Sequence, residues 1–69
     1  MDEKKLNSLI MTLLKMAEEQ EKPAKYTKVI TELLAAEEIQ NVTIVEHKGS
    51  PVVNYINREG GITTLAADI

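Results

Sequence analysis

A chain of 69 residues with no cysteine and one histidine has room for a single small domain, residues 1–69, and cannot staple it with disulfides or a histidine-rich metal cluster. Its apolar content of 43% is that of a globular protein, but it is nearly all aliphatic, with Tyr26 and Tyr55 as the only aromatics; this weighs against the stacking platforms that hold single-stranded nucleic acid. A net charge of −3 also disfavours a binder of the phosphate backbone, which needs clustered Lys and Arg.

The first element is an amphipathic helix over roughly residues 3–20, because Leu6, Leu9, Ile10, Leu13, Leu14, Met16 and Ala17 recur at spacings of three and four. Asp2 is placed to cap it, its carboxylate accepting orphan backbone N–H groups. Glu21-Lys22-Pro23-Ala24 interrupts the pattern, and Pro23 suits the first turn of a second helix, where its missing N–H costs nothing. That helix, roughly residues 24–38, repeats the stripe with Tyr26, Val29, Ile30, Leu33 and Leu34. So short a connector makes the two helices antiparallel neighbours. The pairing would bring Glu37 and Glu38 near Lys4 and Lys5, and Glu18, Glu19 and Glu21 near the amino end of the second helix.

After Asn41 the composition turns β-branched. Residues 42–47 and 52–57 read as two strands around the turn Lys48-Gly49-Ser50-Pro51. With a loop of even length, Val42, Ile44, Val53 and Tyr55 share one face, and Thr43, Val45, Val52 and Ile56 share the other. A three-residue loop changes these sets but still leaves apolar side chains on both faces. One face can pack on the helices, and the other needs a second cover. Gly60-Gly61 closes the hairpin, and the apolar tail Ile62–Ile69 is open to three forms: a third strand, a short helix capped by Thr63, or an arm reaching a neighbouring subunit. The expected fold is α+β, a helical hairpin followed by a β-hairpin (ααββ) with a short third C-terminal strand or helix.

No residue pattern signals catalysis. Glu46 and His47 are adjacent on a strand and therefore point to opposite faces, so they are not placed to share a proton. Ser8 lies on a helix and Ser50 in a turn, neither on a strand–turn–helix elbow, and Gly60-Gly61 is not followed by Lys-Ser or Lys-Thr. No spacing brings carboxylates to His47 as metal ligands, and no cofactor motif is present. Lys22, Lys25 and Lys28 form the one local basic cluster, which reads as a solvated helix face. No stretch approaches the ~20 apolar residues of a membrane span, and no signal peptide is legible, so the expected compartment is the cytoplasm.

A helix ending Leu33-Leu34-Ala35-Ala36-Glu37-Glu38-Ile39 and followed at once by a β-hairpin resembles the last helix and wing of winged-helix DNA binders. The resemblance implies a small DNA-binding regulator with His47, Lys48 and Arg58 as the basic residues of the wing. Two helices rather than three precede the hairpin, however, and the would-be recognition helix carries Glu32 and no Arg.

The sequence therefore points to a non-enzymatic, cofactor-free binding module. A core this small is marginal alone, which makes self-association expected. The small, acidic, cysteine-free character fits a protein-interaction or inhibitory regulator, bacterial or phage-encoded, that acts as a homo-oligomer on a protein partner. The alternatives are the winged-helix-like regulator and a protein that sequesters a small ligand at a subunit interface. The expected interaction surface is the hairpin and tail, represented by Val45, Tyr55, Ile56, Leu65 and Ile69.

Overall fold

The computed structural model describes residues 1–67. Two helices, α1 (Glu3–Glu19) and α2 (Pro23–Ala36), pack together and are followed by β1 (Thr43–His47), β2 (Ser50–Ile56) and β3 (Ile62–Ala66). The strands form one antiparallel sheet in the order β1-β2-β3. The tail thus supplies a strand, and the fold is ααβββ. Ile69 lies outside the described residues.

Local chemistry sets the helix ends. Asp2 caps α1, its Oδ1 accepting from the Lys5 N–H at 2.9 Å, and Pro23 opens α2 in its first turn. Both helices end in the same way. The Lys22 N–H donates to the Ala17 carbonyl at 3.2 Å and the Ile39 N–H donates to the Leu34 carbonyl at 2.9 Å. Each bond spans a residue in the left-handed region, Glu21 at φ 54° and Glu38 at φ 60°. These are Schellman closures with glutamate where glycine is usual. Ile39 then folds back into the same buried cluster as Leu34.

The β1–β2 loop is two residues, Lys48 and Gly49, at φ 53° and 84°. Two consecutive positive φ values define the turn whose twist matches paired strands. His47 faces Ser50, so β2 begins two residues earlier than the four-residue turn expected from sequence. A shift of two preserves parity. Ser50, Val52 and Asn54 direct their backbone bonds to β1, while Val53, Tyr55 and Asn57 direct theirs to β3, where the Asn57 N–H reaches the Gly61 carbonyl at 2.8 Å. Pro51 belongs to the second set. Its missing N–H faces the β3 side just beyond Val52↔Ala66, where that pairing stops, so a central strand tolerates it.

The core lies between the helices and one face of the sheet. Leu6, Ile10 and Leu14 of α1 and Ile30 and Leu34 of α2 meet Ile39, Val53, Tyr55 and Leu65. Each such side chain contributes about 1.5–3 kcal/mol by leaving water. Leu13 and Leu33 pack at the margin of this cluster, and Leu9 and Val29 remain exposed. The Tyr55 hydroxyl donates to Asn7 Oδ1 on α1, which supplies the partner a buried phenol needs. Burial pushes the Tyr55 hydroxyl pKa up from its ordinary value of 10.

One end of the molecule is tied by charge. Glu37, at the end of α2, pairs with the Met1 ammonium at 3.1 Å and with Arg58 of the β2–β3 loop at 3.1 Å. Arg58 also donates to the Met1 carbonyl at 2.9 Å through Nη1, and its backbone N–H donates to Glu3 Oε1 at 2.7 Å. The partners of Glu37 are these groups rather than Lys4 or Lys5, whose side chains lie exposed. The expected approach of the two helix ends holds, but the loop after β2 delivers the cation.

Two outcomes follow. Glu21→Gly and Glu38→Gly should each stabilise the fold by about 1 kcal/mol, since glycine enters the left-handed region without the steric cost of a side chain; urea melts of the two variants check this. The hydrogen bond from the Met1 ammonium, then that from Arg58, holds the Glu37 carboxyl below its ordinary value of 4.5. A depressed folded-state pKa gives stability that is complete above the unfolded value and is lost as pH falls through the folded one. Glu37→Gln should therefore melt below the parent at pH 7, and the gap should close as pH falls below 4.5.

Candidate functional site

Strand alternation sorts the sheet into an inner and an outer face. Ile44, Val53, Tyr55 and Leu65 point toward the helices, as the register pairs Ile44 with Val53 and Val53 with Leu65. Beyond the His47–Ser50 pair at the turn, the outer face presents three rows across the strands. Val45, Val52 and Ala66 form the first, Thr43, Asn54 and Thr64 the second, and Ile56 and Ile62 the third. Val45 is 48% exposed, Ile56 46% and Ile62 76%. Within the polar row the Thr64 hydroxyl donates to Asn54 Oδ1 at 2.7 Å. None of the three rows contains a charged residue, although the chain carries 8 cationic and 11 acidic side chains.

This open face differs from the rest of the surface. Leu9 and Val29 are exposed on the helices, each one turn from a partly buried leucine, Leu13 or Leu33, that packs against the core. The edge of the sheet at β1 is short and carries Glu46, with Lys48 just beyond it, devices that blunt pairing with another strand. The face has no such protection. Two apolar rows flanking an uncharged polar one make this face the candidate interaction surface.

Of the residues expected at the interaction surface, the structure brings Val45 and Ile56 to the open face and sends Tyr55 and Leu65 into the core. Tyr55 and Ile56 are consecutive in one strand and cannot share a face. Leu65 turns inward because it stands opposite the buried Val53. Ile69 falls outside the described residues. Val52, Ala66 and Ile62 complete the face. Val52 was legible from its parity with Val45, whereas Ile62 and Ala66 depend on the register of β3, fixed by the five-residue loop Asn57–Gly61.

That loop is held by Asn57, whose Oδ1 accepts from the Glu59 and Gly61 N–H groups, each at 3.0 Å, and whose Nδ2 donates to Thr63 Oγ1 at 3.0 Å. Glu46 stands opposite Pro51 and His47 opposite Ser50, on opposite faces of the sheet as expected. Ser50 donates to Glu18 Oε2 at 3.0 Å. Lys25 and Lys28 lie exposed on α2, with the Lys25 ammonium 5.8 Å from the centroid of the Tyr26 ring. No helix among the described residues is long and apolar enough to cross a membrane. Comparison with protein-family models, with curated proteins and with solved structures finds no match.

Proposed function

We propose that this chain is a non-enzymatic protein-interaction module, a small regulator or inhibitor that works as a homo-oligomer and engages a protein partner. The observation that carries the reading is the uncharged outer face of the sheet, with Ile62 at 76% exposure beside Ile56. Burying such a face releases about 25 cal/mol per Å² of apolar surface, which a marginal small core gains by association rather than by folding alone. A cytoplasmic setting, bacterial or phage-encoded, belongs to the same proposal, on the small acidic character of the chain.

Sedimentation equilibrium at micromolar concentration tests the reading. A mass above 7.7 kDa is expected, and Ile62→Asp should return the chain to monomer while keeping its helical circular dichroism, since the side chain lies outside the core. A cooperative monomer at every concentration would overturn the proposal. So would salt-dependent binding to bulk duplex DNA or a nucleotide retained through purification, which belong to the DNA-binding and ligand-sequestering alternatives.

A further inference from the structure

We infer that the open face is covered by the same face of a second copy, two three-stranded sheets packing as a sandwich about a two-fold axis that passes Asn54. The inference rests on the self-association proposed above and specifies its geometry. Three features of the face select this occupant.

The first is charge. A chain whose net charge is −3 repels itself wherever its charged surfaces meet, yet the rows of this face carry none. An acidic or basic partner would find no counter-charge on it, whereas an identical face meets no repulsion. The second is the order of the rows. A two-fold axis along the Thr43–Asn54–Thr64 row lays the Val45–Val52–Ala66 row of one copy over the Ile56–Ile62 row of the other, and it lays the polar row on itself. Apolar then meets apolar and polar meets polar across these three rows, with the His47–Ser50 pair left at the margin.

The third feature is Asn54. Its Oδ1 accepts from Thr64, and its Nδ2 donates to no atom among the described residues. An amide is both donor and acceptor, so two of them facing across a two-fold axis can exchange N–H···O bonds, each Oδ1 using its second lone pair. A central asparagine would then fix the register of the pair, as a single buried asparagine does in coiled coils. Edge-to-edge pairing is the competing arrangement; Glu46 opposes it at β1, so it would run through the uncharged β3 edge and would bring neither Asn54 nor the Val52–Ile56 pair together across copies. The face is smaller than the roughly 20–30 residues a side of a standard interface, so the dimer should dissociate on dilution.

The absence of cysteine permits a direct test by oxidation of single-cysteine variants. Facing sheets stand about 10 Å apart, a gap that inter-sheet disulfides bridge. Asn54→Cys should give at least ten-fold more covalent dimer than Thr31→Cys, which lies on the exposed side of α2. A mixture of Val52→Cys and Ile56→Cys should form the mixed disulfide, which keeps the test alive if loss of the asparagine itself weakens the pair. If the parent sediments as a dimer but neither cross-link forms, the sandwich is overturned while self-association stands. If the parent is monomeric at every concentration, both fall.

Discussion

Two helices can cover only one face of a sheet, and the rest of this structure follows from that constraint. Packed helices lie about 8–10 Å apart, so a pair spans the width of three strands about 4.8 Å apart and no more. The apolar stripes of α1 and α2 are spent on Val53, Tyr55 and Leu65. The residues that alternate with these point away from the helices. In a two-layer domain such positions are ordinarily polar. Here Val45, Val52, Ile56 and Ile62 occupy them, and the sheet is left with apolar surface that its own chain does not cover among the described residues.

The fold gives up some stability at its chain reversals, and one charged end ties its elements together. Glu21, Glu38, Asn41 and Lys48 all adopt positive φ, a conformation that disfavours side chains. Both helix C-termini are nonetheless closed by backbone bonds, so their carbonyls are satisfied. At the opposite end from the β1–β2 turn, Arg58 reaches Met1, Glu3 and Glu37 together, joining the start of α1, the end of α2 and the loop before β3. Because these groups are partly exposed, they position the elements more than they stabilise them. The sheet is thereby held with its inner face on the helices and its outer face turned to solvent.

Much of this was readable from residue order. The stripes of Leu6, Ile10 and Leu14 and of Tyr26, Ile30 and Leu34 carry the helical period, and Pro23 marks the second start. The face sets of the hairpin survived an error in loop length, because moving Ser50 and Pro51 from turn to strand is a shift of two and side chains alternate with period two. The end of α2 was placed two residues late because its closing residue is Glu38 and not a glycine, which removes the usual stop signal. The partner of Glu37 was hidden for another reason. Arg58 lies 21 residues away along the chain, and only the assembled sheet brings it there. The open face was half legible for the same cause: Val45 and Ile56 follow from the hairpin, while Ile62 and Ala66 needed the path of the Asn57–Gly61 loop.

The central claim, that an identical copy completes this sheet, is most directly tested by an isotope-filtered nuclear Overhauser spectrum of labelled chain mixed with unlabelled chain. Cross-peaks between copies should join the Val52 and Ile56 methyl groups, with Val45 and Ile62 beside them, and should be absent for Leu9 and Val29 on the helices. Intermolecular cross-peaks from Leu9 and Val29 with none from the sheet, or no intermolecular cross-peaks at millimolar concentration, would contradict it.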